Sequence, residues 1–534
     1  MANGAARAER EREARQSPTA RAPAQADIVI GKDVLELLSS AMYIDPLTIY
    51  REYLQNAADA IDEARHTGLL APAEPGRVAI DIDLAARSIR IRDNGIGLSG
   101  STFVRRLTAL GASAKRGGSA RGFRGVGRLA GLAYAQQLVF RTRAIGEPFV
   151  SEMIWDCRAL RAALRASSDS GVAELIHRIV SIDRLDTARF PNRFFEVELK
   201  GVVRLRSDKL MSSRAVADYL AQVAPVPFSG SFPFGAEITA ALAPAVRLCN
   251  LNVDISGIDG PIVRPHRDGF MDDRRYIHLE KPELIRIPDV DGGLAAIVWL
   301  LHHPYEGAVP TEASIKGLRL RYGNIQVGDH SVLGDLFPEP RFNSWSIGEV
   351  HVIDKRIVPN ARRDDFEQNA HYSNLINQLT PIARSIARRC RASSKKRQLL
   401  RDFEARKMAV REHLAILAQG GISNVGRSAQ GIAIDQALTR MGKVGEASEL
   451  AGERAAMAAS IDELRREISA VGGASLDTAL AHFSPERRAM YQHLFDLIYD
   501  CSTNRVAAKA LVERILVKIQ IASSGTSHSP GPAS

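Results

Sequence analysis

Hydrophobic and polar positions change period along the chain. In residues 28–200, helical spacing alternates with short runs of period two, VAIDIDL, SIRIRDNG and FFEVELKG, separated by glycine-rich breaks. Such runs read as half-buried strands, so this part is predicted to be α/β. Residues 201–371 repeat the mixture, with LAAIVWLLHH, LRLRYGNIQV and IGEVHVID bounded by Gly, Pro and Asp. After Tyr372 the strand pattern fades and helical spacing with many charges runs to the pair Gly420 and Gly421. The expectation is an α/β domain over 27–200, a second α/β domain over 201–384 and a helical region over 385–521. Polar tails occupy 1–26 and 522–534, with compositions typical of disorder. No internal repeat is visible.

The 534 residues are enough for three or four domains. With 45% hydrophobic and 25% charged residues, the bulk is globular. No apolar run approaches the roughly 20 residues that cross a bilayer, so no membrane partner is expected. The basic opening lacks the apolar centre of a secretory signal, which points to the cytoplasm. Cys157, Cys249, Cys390 and Cys501 are far apart and form no C-x-x-C, so they read as buried thiols. Lys plus Arg number 71 against 61 Asp plus Glu, a formal +10 that permits a polyanionic partner without requiring one.

Three motifs carry candidate chemistry. In the helical pattern after Pro46, Glu52, Asn56, Asp59 and Glu63 fall within an arc of about 60° at 100° per residue. Leu54, Ala57, Ala58 and Ile61 lie opposite, so amphipathicity explains the layout. It explains poorly an Asn centred among acids beside small alanines, since Asn is a mediocre helix former. Next, the strand SIRIRDNGIGL runs into Asp93, Gly95 and Gly97. An acid at a strand end followed by glycines can bond a ligand that approaches the backbone, though Asp-Asn-Gly also suits an ordinary hairpin turn. Finally, GASAKRGGSARGFRGVGRLAG is rich in glycine and basic residues and leads into LAGLAYAQQLVF, which reads as helical. Amides at such a helix start form an anion site. Neither a Walker loop nor the strand context of a dinucleotide fingerprint accompanies it.

The order of EYLQNAADA, DNGIG and GFRGVG resembles the three nucleotide-binding boxes of the superfamily uniting gyrase, the ninety-kilodalton heat-shock chaperones, histidine kinases and mismatch-repair clamps. The resemblance implies a Bergerat-type α/β sandwich that binds ATP and Mg²⁺. It is nearest to the hydrolytic branches, because no phosphoacceptor segment is recognisable and Glu52 resembles their catalytic acid. By this resemblance Glu52 orients and polarises the attacking water, Asn56 completes the Mg²⁺ shell and Asp59 lines the pocket. Asp93 accepts from the adenine amino group, and Gly95 and Gly97 let the base lie close to the backbone. Gly122, Gly125, Val126 and Gly127 form the phosphate-binding lid, with Lys115 as a further phosphate contact. Two departures stand out: Arg128 occupies a position that is often aromatic, and NRFFEVEL has no Thr where the family often supports the base.

Residues 317–369 are similar to the chaperones' middle domain, in which a strand, a loop with Pro and Asn, and an Arg-acid pair follow in order. PNARRD places Arg363 at the catalytic arginine, with Arg362 as its competitor. A guanidinium from outside the nucleotide domain would stabilise charge on the γ-phosphate oxygens. The implied function is an ATP-hydrolysing molecular clamp, a heat-shock-type chaperone that acts on protein clients and dimerises through C-terminal helices. The alternative is a DNA-engaging clamp related to mismatch-repair or chromatin-compaction ATPases, which would use the basic helix over 384–411. A nucleotide-regulated adaptor with little turnover is a third reading, and a topoisomerase is disfavoured because no cleavage module is recognisable.

Overall fold

The computed structural model describes residues 45–108, 127–165, 172–205, 207–273, 275–472 and 480–524. They form two compact units, one of residues up to 303 with 307–387, the other of 304–306 with 388 onwards. The architecture is mixed α/β with a helical C-terminal region, as expected.

In the first unit, α1 (Thr48–His66) lies on a sheet whose strands alternate buried and exposed positions, so one pleat face meets the helix. The strands are β1 (Gly76–Asp83), β2 (Ser88–Asp93), β3 (Gln137–Arg143), β4 (Val150–Asp156), β5 (Val180–Leu185), β6 (Phe194–Lys200) and β7 (Leu251–Ile255). Their order is β5-β4-β3-β6-β2-β1-β7. Cross-strand neighbours Ile80 and Ile91, Phe140 and Val197, and Leu138 and Leu199 share the inner face with Trp155 and Met153. Tyr50, Tyr53, Leu54, Ala57 and Ile61 of α1 pack into the same core. Each large apolar side chain so buried contributes about 1.5–3 kcal/mol. The outer face is charged: Arg141 lies 2.6 Å from Glu152, 2.8 Å from Glu196 and 2.7 Å from Glu198 on flanking strands. Short helices α2 (Gly100–Thr108), α3 (Cys157–Arg165) and α4 (Val172–Ile179) complete the connections.

Two features depart from the local pattern. Residues of LAGLAYAQQLVF, expected to be helical, form a 3₁₀ segment at Gly127–Ala133 and then β3, where Phe140 gains Val197 and Met153 as cross-strand neighbours. Sheet pairing outweighs the weak helical preference here. The first core also extends beyond residue 200. It takes in α5 (Ser213–Val223), and β7 pairs in parallel with β1, setting Val253 beside Val78 and Ile255 beside Ile80.

After α6 (Gly235–Leu242) and the hairpin of β8 (Gly269–Asp272) and β9 (Arg275–His278) comes a second sheet. Its strands β10 (Glu283–Pro288), β11 (Leu294–Leu301), β12 (Gly317–Tyr322), β13 (Ile325–Val327) and β14 (Ile347–Val352) run in the order β10-β11-β14-β12-β13. β11 and β14 are covered on both faces, which accounts for the nearly continuous apolar sequence of β11, while β14 buries Glu349 and His351 among its apolar residues. The β12–β13 hairpin turns through Gly323 and Asn324, both at positive φ, the geometry a two-residue turn requires. Buried Glu349 holds Arg264 at 2.6 Å and Arg321 at 2.5 Å. Arg321 also donates to the carbonyl of Gln222 at the end of α5.

α7 (Ala370–Gln419) ends where expected, at Gly420 and Gly421, both at positive φ. The second unit continues with α8 (Asn424–Gly445), α9 (Arg454–Gly472), α10 (Pro485–Cys501) and α11 (Arg505–Ser524). Phe403, Val410, Ile434, Met441 and Leu464 form one of its cores. No helix among the described residues is long and apolar enough to cross a membrane.

Candidate functional site

α1 is buried nearly all round, so the face that reads as solvent-exposed turns inward. Arg51, Glu52, Gln55 and Asp59 are buried, Asn56 is half-buried and Glu63 is exposed. Ionisable groups are rarely buried without a partner or a task. The Glu52 carboxylate has two guanidinium neighbours, Arg51 Nη2 at 3.3 Å and Arg363 Nε at 3.8 Å, both on Oε1.

The second box packs against the far end of the same helix. Asp93 closes β2, and its Oδ1 accepts from the amide of Gly95 at 2.8 Å. Asn94 Oδ1 accepts from the amide of Arg77, and the amide of Ile96 donates to the carbonyl of Ala60 on α1. A Cβ at Gly95 would lie 2.7 Å from that of Ala60, so only glycine lets the turn reach the helix. Gly97 has φ +69°, and a Cβ there would meet the carbonyl oxygen of Arg143. Eight residues along α1, a rise of about 12 Å, lie between Glu52 and the Ala60 carbonyl on which the glycine turn rests. Burial pushes the Asp93 carboxyl up to about 7, against the opposing pull of the Gly95 amide and Arg193.

The end of the third box sits on Glu52. A Cβ on Gly127 would lie closer than van der Waals contact to Glu52 Oε2, and the amide of Gly131 donates to Tyr53 Oη at 2.9 Å. The 3₁₀ segment therefore rests on adjacent residues of α1. Arg128 is half-buried, and burial with the charge of Arg106 lowers its guanidinium to about 10. Lys115, Gly122, Gly125 and Val126 lie outside the described residues.

Arg363 reaches the site from the loop after β14. The loop is pinched by a bridge between Pro359 and Phe366, and Arg363 adopts φ +56°. Its carbonyl accepts from the amide of Gly328 at 2.8 Å. Arg363 is buried while Arg362 is exposed, so of the two candidates Arg363 is the one at Glu52. Tyr322 of β12 lies in the field of the same groups: burial pushes its phenol up, Arg363 opposes and Asp354 and Asp59 reinforce.

Two residues at this site escape a reading by motif. Arg51 donates to the carbonyls of Arg362 at 3.1 Å and Arg363 at 3.4 Å. Thr142, buried on β3, accepts from the amide of Leu98 at 2.9 Å and donates to the carbonyl of Phe194 at 2.8 Å. It ties the glycine turn to the sheet from β3, the strand beside β6.

Among the described residues no three His, Cys, Asp or Glu side chains gather to hold a metal. Asn56 offers one oxygen, a donor set that suits a hard ion completed by phosphate and water. On the basic helix, Lys395 pairs with Glu449 at 2.5 Å and Lys396 with Glu453 at 2.6 Å, which offsets part of the charge a polyanion would meet.

No family model matches the chain. It is 31% identical over 142 residues to the chaperone protein HtpG of Burkholderia ambifaria, covering 23% of this chain and 22% of that protein. Against the HtpG of Polaromonas naphthalenivorans it is 26% identical over 199 residues, 33% of this chain and 30% of that one. The matched stretch thus spans less than a third of these relatives.

Proposed function

We propose that the first unit binds and slowly hydrolyses ATP, and that the chain acts as an ATP-dependent clamp of the chaperone type in the cytoplasm. The observation that carries this is the placement of two buried acids at α1: Glu52 on the helix itself, where it meets Arg363, and Asp93 at the end of β2, whose glycine turn packs on Ala60 of the same helix. The partial likeness to HtpG chaperones supports the same reading.

In this reading Asp93 accepts from the adenine amino group, and the triphosphate runs along α1 towards Glu52. Asn56 would hold a Mg²⁺ ion from this helix, and the ion would supply positive charge to offset that of the phosphates. Glu52 takes the proton of the water that attacks the γ-phosphorus as the bond to the ADP oxygen breaks. Arg363 draws off the charge that spreads over the γ-phosphate oxygens. Because Arg363 follows the second sheet, turnover depends on the loop being seated on α1. Clients are proteins, and two copies join through the C-terminal helices. α10 exposes Met490, Leu494 and Leu497 at i, i+4 and i+7, an apolar stripe on one helix face.

The test is ATP turnover by the full chain. Glu52→Ala should lower it about 10²- to 10⁴-fold while ATP still binds. Undiminished hydrolysis would remove Glu52 from the mechanism.

A further inference from the structure

Glu52 explains only part of where the Arg51 guanidinium goes. One nitrogen, Nη2, lies 3.3 Å from Glu52 Oε1 and 3.1 Å from the carbonyl oxygen of Arg362; the other, Nη1, lies 3.4 Å from the carbonyl oxygen of Arg363. A buried cation needs compensation, and one carboxylate already shared with Arg363 is incomplete compensation. Two consecutive peptide carbonyls of the arginine loop add to it. That loop holds a conformation which does not come free. Arg363 sits at φ +56°, a left-handed conformation that is strained for a residue other than glycine. Its carbonyl, turned by that conformation, receives both the Gly328 amide and Arg51.

We propose that Arg51 is a positioning residue: by gripping the main chain at Arg362 and Arg363 it seats the loop on α1 and delivers the Arg363 guanidinium to Glu52. The proposal rests on the reading of this site as an ATPase. The grip is indifferent to the side chain at 362, since only the backbone is held. It depends on the planar fork, whose two separate nitrogens each hold a different carbonyl, where an ammonium offers a single nitrogen. It also links the loop to the residue next to Glu52, so that the general base and the arginine are set by one side chain.

The experiment compares the full chain with Arg51→Ala, Arg51→Lys, Arg363→Ala and Arg51→Ala/Arg363→Ala. ATP affinity and kcat are measured, together with hydrogen exchange in segment 358–366 without nucleotide. A misplacement of about 1 Å can cost about a hundredfold in rate, so kcat should fall about 10- to 100-fold in both Arg51 variants with ATP affinity nearly unchanged. Exchange in the loop should quicken while β11 and β14 stay protected. The double variant should be no slower than Arg363→Ala alone, because Arg51 acts through Arg363. Additive losses, wild-type turnover in Arg51→Lys, or unaltered loop exchange would each overturn the proposal. If Arg51→Ala does not fold, Arg51→Lys carries the same comparison. The exchange measurement needs no nucleotide, so a chain that fails to hydrolyse ATP would sink the functional reading while exchange still decides the grip.

Discussion

Glu52 of α1 and Arg363 of the loop after β14 meet at 3.8 Å, both buried, and the backbone of Gly127 closes on the other carboxylate oxygen. Three separate segments converge on one acid. Their convergence makes the site sensitive to small changes in geometry as well as to loss of a functional group.

Alanine at two glycines should therefore have different effects. At Gly127 the new Cβ meets the end of the Glu52 side chain, which can swing aside only by leaving Arg51 and Arg363. Gly127→Ala should lower kcat at least tenfold with a loss of stability near 1 kcal/mol. At Gly97 the Cβ meets the carbonyl of Arg143 and the residue has φ +69°. Gly97→Ala should cost several kcal/mol and abolish nucleotide binding. Thermal melts and turnover of the two variants check the contrast.

The raised Asp93 carboxyl gives a pH signature. Its folded value near 7 lies above the unfolded one, so its contribution to stability is complete below about pH 4 and is lost as pH rises towards 7. Adenine binding has the opposite sign, because an amino donor needs the carboxylate. Affinity should weaken as pH falls below 7, and binding near pH 6.5 should release up to about one proton per site. Calorimetry in buffers of different ionisation enthalpy measures that release.

Thr142→Val should loosen the glycine turn. It keeps the shape but leaves the Leu98 amide without its acceptor, at about 1–3 kcal/mol. Denaturant melts should show that loss, with a parallel fall in nucleotide affinity.

The apolar stripe on α10 predicts self-association. Leu494→Asp places a charge at its centre and should shift the chain from dimer to monomer in light scattering, leaving ATP turnover per chain within a few-fold.

Much of this was legible in local pattern. SIRIRD alternates because one face of β2 is core, and the first two boxes carry Glu52 and Asp93. LRLRYGNIQV reads as a strand, and the structure makes it two, β12 and β13, with the turn at Gly323 and Asn324. What escaped depends on distant pairing. β7 adds to β1 from more than a hundred residues away, and nothing in LNVDI says which edge it joins. Arg51 reads as a surface charge until the loop at 362 covers it, and Thr142 reads as an ordinary strand residue until Leu98 turns towards it.

The central claim is that Glu52 and Asp93 serve a single adenine nucleotide. Calorimetric titration of a non-hydrolysable ATP analogue into the wild-type chain, Glu52→Ala and Asp93→Asn tests it most directly. One site per chain should appear in the first two with similar affinity and vanish in the third. Equal binding by Asp93→Asn, or none by the wild-type chain, would contradict it.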